Sequence, residues 1–192
     1  MDRCSFMELL RKAEEKMRGV SNLSSCFSSM AVEYFGVFGE RCVVFRIFQG
    51  NGKGTWMCEI KGGAPEGQHN VGLVDPLDRH PDIADAAWGR EIFSVKNPLK
   101  YPRTAYFRGI ILERGINEII YVPVLSDGAR AEWVVAIDAC GEKRFSLWDI
   151  HFCQMVEEFF SFWLWKEKNP EGQWPAFITR RNAALAAHFT SA

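Results

Sequence analysis

The residues best suited to do chemistry in this chain are scattered rather than grouped. Six cysteines, Cys4, Cys26, Cys42, Cys58, Cys140 and Cys153, show no CxxC spacing and no close cysteine–histidine pair. Metal centres and thioredoxin-like dithiols need such tight spacings, so neither is expected. Cys42 and Cys58 fall inside strand patterns and Cys153 inside a helical one, where a free thiol acts as a small buried hydrophobe. That usage fits a reducing compartment. His69 and His80 sit in a long irregular segment, His151 lies one turn into an apolar helix, and His188 lies near the C-terminus. None has the spaced partner that a haem or metal site demands. There is no Gly-x-Ser-x-Gly elbow, no phosphate-binding loop and no His-Glu-x-x-His. Gly50 to Gly54 is glycine-rich, but it joins two strands and lacks the helix start that gives a phosphate cradle its dipole.

What remains is a set suited to binding rather than catalysis. Phe93 and Val95 alternate with Ile92 and Ser94 on a short strand, and Tyr106, Phe107, Ile110 and Ile111 recur along a helical segment preceded by Arg103. Tyr121, and Ile137 or Asp138, come from two later strands. Apolar walls with a few convergent polar groups are what a small-molecule site needs. Tyr106, Tyr121, Arg103, Arg108, Ser94 and Asp138 are the candidates for the polar part. Asp138 follows Ala136-Ile137 in an apolar strand. It is either a buried carboxylate that needs a partner or the first exposed residue at a strand end.

The elements that would position these groups are legible along the chain. Ser5-Phe6-Met7-Glu8 has the form of a capping box, and Phe6, Leu9, Leu10, Ala13 and Met17 follow at helical spacing. A second helix is expected from the serines at 24 and 25, with Phe27, Met30, Ala31, Tyr34 and Phe38 along one stripe. Arg41 to Gln49 and Thr55 to Lys61 read as an antiparallel hairpin across a glycine-rich turn. Gly62 to Pro81 is the longest irregular stretch, and a loop of that length inside a domain usually has a task. A short helix from Asp82 to Trp88 and a strand from Ile92 to Val95 follow. Asn97 to Pro102 reads as loop, because each proline disfavours helix in the residue before it. Thr104 to Arg114 reads as a helix stopped by Gly115. Strands Glu118 to Leu125 and Arg130 to Ala139 pair across Ser126 to Ala129. The helix from Leu147 to about Lys168 precedes an Asn-Pro-Glu-Gly break and a tail, 169–192, with one more possible helix.

Composition sets the outer bounds. A chain of 192 residues, 47% of them hydrophobic, can bury one full core. With 23 basic and 24 acidic residues it offers no broad field for nucleic acid or an anionic membrane. Local gatherings at Lys96, Lys100, Arg103 and Arg108, and at Arg180-Arg181, read as solvated faces. No stretch reaches the roughly 18 apolar residues of a membrane span. Arg11-Lys12 interrupts the first apolar residues before a signal-peptide core can form. A cytoplasmic protein is the expectation.

The order helix, helix, hairpin, long loop with a short helix, strand, helix, hairpin, helix resembles a complete GAF domain from about residue 5 to 165. Its landmarks are Gly89 before Ile92-Phe93-Ser94-Val95, Asn97-Pro98 after it, Gly115-Ile116 leading to Val122-Pro123-Val124, and Phe145-Ser146 with Asp149. One departure is Trp133, where family members often carry a small residue such as glycine. The resemblance implies an α+β fold over 1–168: a central antiparallel sheet of about five or six strands with the terminal helices on one face. On the other face, the long loop and the crossover helix would enclose a ligand pocket. Phe93, Val95, Arg103, Tyr106, Phe107, Ile110, Tyr121 and Asp138 are its expected ligand-binding residues.

GAF domains take cyclic nucleotides, bilins, haem, amino acids, oxo-acids or ions, and many bind nothing known. The Asn-Lys…Phe…Asp-Glu pattern of cyclic-nucleotide binders is missing. Gly62 to Arg114 contains no cysteine, which argues against bilin attachment and against the methionine sulfoxide reductase branch of the family. The expectation is a non-enzymatic sensor with an unnamed ligand and no identified cofactor. It would signal through its terminal helices to a separate protein, without nucleic acid or membrane. The alternatives are a small thiol-dependent enzyme using Cys140, or a ligand-free dimerisation scaffold. The last helix is apolar almost all the way round, with Trp148, Phe152, Met155, Phe159 and Phe162 on one stripe and Val156, Phe160, Trp163 and Leu164 widening it. A helix capping a sheet needs only one such face. A parallel homodimer through the first and last helices is therefore favoured over cover by the tail.

Overall fold

The computed structural model describes residues 41–50, 54–63, 74–125 and 130–173, with isolated helical positions at 11, 15, 175, 176, 179 and 183. The second expected N-terminal helix, most of the first, the turn at 126–129 and most of the tail lie outside these residues. No helix among the described residues is long and apolar enough to cross a membrane.

Among the described residues, six strands form one antiparallel sheet in the order β3-β2-β1-β6-β5-β4. β1 (Arg41–Gln49) and β2 (Thr55–Gly63) form the expected hairpin, in register from Gln49 opposite Thr55 to Cys42 opposite Gly63, with a bulge between Val44 and Phe45. β6 (Trp133–Cys140) pairs with β1 on one side and β5 (Ile116–Val124) on the other; β4 (Phe93–Lys96) closes that edge. β3 (Val74–Pro76) was not expected: it pairs with Trp56 to Cys58 inside what reads as loop. A three-residue edge strand is made by backbone pairing, so its side chains carry no period to detect.

Period-two alternation builds a core on each face of the sheet. Val44, Ile120, Val122, Val124, Trp133 and Val135 face α3, the long helix Leu147–Lys168, and pack on its Phe152, Cys153, Phe160 and Leu164. Trp133 is 4% exposed and fills this layer, with the Arg46 guanidinium 6.0 Å from its ring. The opposite face carries Val43, Phe45, Ile47, Ile119, Tyr121, Val134 and Ala136. It packs on α1 (Pro81–Gly89) through Ile83, Ala86 and Ala87, and on α2 (Arg108–Arg114) through Ile111.

α3 starts where its sequence says it should. The Ser146 hydroxyl accepts from the Asp149 amide at 3.3 Å, and the Asp149 carboxylate accepts from the Ser146 amide at 2.7 Å. This reciprocal pair satisfies two orphan donors of the first turn. The buried stripe differs from expectation. Phe152 is buried, but Met155 is 45% exposed and Phe159 and Phe162 are half-buried. Glu157 and Ser161 are instead on the inner face. The Ser161 hydroxyl donates to Glu157 at 2.7 Å and accepts from the Leu125 amide at 3.0 Å, anchoring α3 to the end of β5.

The crossover also differs in detail. It is not one helix from Thr104: Pro98–Lys100 and Pro102–Phe107 wind as 3-10 turns before α2 begins. Thr104 is fully buried, and its hydroxyl donates to the carbonyls of Tyr101 at 2.8 Å and Pro98 at 2.5 Å, tightening the winding. Gly115, at φ 60°, ends α2 as expected and donates to Leu112 O at 3.3 Å.

Candidate functional site

Two layers of side chains meet beneath the crossover. Pro81 occupies the first turn of α1, where its missing N–H costs nothing. The next residue, Asp82, is fully buried. Its carboxylate accepts a short hydrogen bond from the Tyr121 hydroxyl of β5, and its other oxygen, Oδ1, has no hydrogen-bond partner. Burial pushes the Asp82 pKa up; the Tyr121 hydrogen bond partly opposes it. Phe93 stacks on Tyr121 with ring centroids 5.1 Å apart, as their facing register requires.

Beside Tyr121 lies a cavity of about 20 Å³. The sheet supplies Phe45, Ile119, Tyr121, Ala136 and Asp138; the roof is Ile83 of α1 with Phe107, Ile110 and Ile111 of the crossover. Asp138 is 1% exposed, so of its two expected settings the buried one holds. Its place on β6 alternates with Val135 and Ile137, which turns it to the crossover face.

Of the eight residues expected to line a pocket, Phe107, Ile110, Tyr121 and Asp138 meet at this cavity. Phe93 backs Tyr121, and Val95 is buried in the same layer without lining the space. Arg103 and Tyr106 are elsewhere, and the 3-10 winding is the reason. At three residues per turn, Phe107 turns inward and Tyr106 outward, leaving the tyrosine 56% exposed. Arg103 lies on the surface, where its guanidinium makes a two-point ion pair with Asp85 and donates to Pro81 O at 3.1 Å. With Trp88, Thr55 and Pro76 it lines an open groove of about 580 Å³ on the outer side of α1. Ser94 points to the α3 layer and donates to Glu118 at 2.5 Å; Glu118 also accepts from the Phe145 amide at 3.1 Å. Arg108 is exposed.

Sequence reasoning assigned no role to His80 or Asp82. His80 is 1% exposed, with its ring 4.5 Å from that of Tyr106 and 5.1 Å from that of Phe107. Neither ring nitrogen makes a hydrogen bond, and Asp75 Oδ2 lies 3.5 Å from Nε2. Burial lowers the imidazole pKa, with Asp75 pulling it the other way. The signal available was His-Pro-Asp at a helix start, read only as a boundary. Among the thiols, Cys42, Cys140 and Cys153 are buried and unbridged, and burial pushes Cys153 up to about 12. Cys140 does not line the cavity. Among the described residues, no three His, Cys, Asp or Glu side chains are grouped as metal ligands would be.

This architecture has close counterparts among solved structures. The phycoerythrobilin-bound GAF domain of a cyanobacterial phytochrome superposes with a TM-score of 0.70 at 12% identity, over 89% of this chain and 100% of that one. The GAF domain of an Acinetobacter phosphoenolpyruvate-protein phosphotransferase gives 0.66 at 16% identity, over 91% and 99%. Residues 122 to 287 of a methyl-accepting chemotaxis protein give 0.64 at 13% identity, over 82% and 96%. No protein-family model matches the sequence, and no curated protein does. The fold is that of a GAF domain, an α+β sheet covered by helices on both faces.

Proposed function

We propose that this chain is a cytoplasmic, non-enzymatic GAF-type regulatory module. It captures a small molecule beneath the crossover and passes the change through its terminal helices to a separate signalling protein. The observation that carries this reading is the arrangement at the cavity. Tyr121 and Asp138 converge within apolar walls, and Tyr121 is bonded to Asp82 on the helix that roofs the site. The structural neighbours, a phycoerythrobilin-bound GAF domain of a phytochrome and part of a methyl-accepting chemotaxis protein, support the same reading. Binding would shift the balance between two arrangements of the helices. In this reading the domain spans 1–168, the tail 169–192 is an appendage, and the output unit is a parallel homodimer.

Native mass spectrometry of the protein purified from its own host tests the proposal. A retained small-molecule mass, lost on Tyr121→Ala in a still-folded protein, is the expected result. Failure to retain any mass, with no stabilisation by a metabolite panel, would overturn it. A second reading, a ligand-free dimerisation scaffold, is favoured by the size of the cavity. At about 20 Å³ it holds little more than one water. A dimer that forms unchanged whatever small molecule is added would select that reading.

A further inference from the structure

The open groove on the outer side of α1 has the dimensions of a small-molecule site. Its volume, about 580 Å³, falls within the roughly 300–1,000 Å³ usual for such sites. Pro81, Ala84 and Trp88 follow at spacings of three and four, so they share one face of α1, while Ile83, Ala86 and Ala87 pack on the sheet from the other. With Pro76 and Leu77 they make an apolar floor. Trp88 is 46% exposed, and among the described residues it has no ring partner and its indole N–H no acceptor. Its open face is free to stack on another ring. Arg103 supplies the directed polar contact. The Nε–Nη2 edge of its guanidinium is bonded to Asp85, and Nη2 also donates to Pro81 O at 3.1 Å. These bonds fix the guanidinium plane and leave both N–H groups of Nη1 without a partner among the described residues.

Charge then selects the ligand class. The Arg103 charge is matched by Asp85, and Asp78, which also lines the groove, is followed in the chain by Arg79. An anion therefore meets no unmatched positive charge, and a cation would have to approach the guanidinium. A neutral carbonyl oxygen gives Nη1 its hydrogen bond and opposes neither charge. We infer that this groove binds an uncharged planar aromatic molecule, its ring stacked on Trp88 and a carbonyl oxygen accepting from Arg103 Nη1. The site is separate from the inner cavity, which neither Trp88 nor Arg103 lines. One ligand would touch both α1 and the crossover, the two elements that roof that cavity.

The test uses four small probes at millimolar concentration on the full chain near neutral pH: benzamide, benzoate and benzamidine, which share a shape and differ in charge, and cyclohexanecarboxamide, which keeps the carbonyl and lacks the ring. The indole N–H resonance of Trp88, assigned by its loss in Trp88→Phe, should shift with benzamide and much less with the other three. Ligand-observed NMR should show benzamide weakened about tenfold by Trp88→Ala and about tenfold by Arg103→Gln, the scale of one lost ring stack or one lost charge-assisted hydrogen bond. Ala84→Gln keeps both contacts and fills the floor, so benzamide binding that survives it overturns the assignment. No shift of the Trp88 resonance, equal shifts with all four probes, or a larger shift with either charged probe also overturns it. Tyr121→Phe separates this site from the inner cavity: benzamide binding should be unchanged, and its loss there would place the ligand in the cavity and remove the groove site. Failure of the groove leaves the cavity reading standing, since that reading depends on Tyr121 and this one on Trp88.

Discussion

The Tyr121 hydroxyl donates to the Asp82 carboxylate across 39 residues of sequence, joining the middle of the sheet to the first turn of the helix that roofs the cavity. Both side chains are buried, at 2% and 0% exposure, so the bond cannot be exchanged for water. Tyr121→Phe keeps the ring stacked on Phe93 and removes only the donor. Leaving a buried acceptor unsatisfied costs about 1–3 kcal/mol. Urea unfolding should show that loss with an unchanged slope, and Tyr121→Ala should cost about 3–5 kcal/mol because a cavity is added. Equal losses for the two variants would mean that the hydroxyl contributes everything and the ring packing nothing.

The buried titratable groups give opposite pH dependences. Asp82 has a folded pKa raised above its ordinary 3.8, so the folded state holds the proton more tightly. Its contribution is present in full below that value and is lost as pH rises through the folded pKa. His80 has a folded pKa lowered from 6.5, so the unfolded state takes up its proton first. Its contribution is present in full above pH 6.5 and is lost as pH falls toward the folded pKa. Relative to wild type, Asp82→Asn should flatten the decline on the rising side and His80→Phe the decline on the acid side. Urea midpoints measured across pH for the three proteins check both signs. Parallel curves would show that neither group titrates differently on folding.

Much of the fold was legible because burial imposes simple periods. Val134 and Ala136 alternate with Trp133, Val135 and Ile137, and the two sets do face opposite layers. The Ser146–Asp149 start of α3 and the Gly115 stop of α2 follow from local hydrogen bonding that three or four residues determine. Tyr106 and Phe107 could not be told apart, because their orientation depends on whether the chain winds at 3.0 or 3.6 residues per turn. Asp82 was invisible as a site residue since its partner lies on another element. In α3, apolar residues on nearly every side leave no angular contrast. The inner face also carries Glu157 and Ser161, and the partner of Ser161, Leu125, directly follows β5.

Cys153 tests the reading of the cysteines as packing groups. Only the thiolate reacts, and a thiol held near a pKa of about 12 is almost entirely protonated at pH 8. Cys153 is 1% exposed, so access is blocked as well. A disulfide reagent should label Cys153 in the native protein only at the rate of unfolding, and promptly in denaturant; peptide mapping reads the site. Rapid native labelling there would show that α3 opens away from the sheet.

The end of α3 offers a sharper packing test and bears on how its second apolar face is covered. Trp165 is 6% exposed, although it lies outside the stripe that packs on the sheet. Its cover includes the turn that follows: the Asn169 side chain donates to Trp165 O at 2.8 Å, and the Gly172 amide donates to Asn169 O at 2.7 Å. A methyl group on Gly172 would lie 2.2 Å from the Trp165 ring, so the indole must leave its place. Gly172→Ala should cost about 1–3 kcal/mol by overpacking. Phe162, Trp163 and the Lys166 ammonium, 5.8 and 5.4 Å from those two rings, form the neighbouring half-buried surface. If that surface joins two chains, light scattering should find a dimer both for the full chain and for one ending at Lys168. A full-length monomer that aggregates only on truncation would assign the cover to the tail and rule out the dimer.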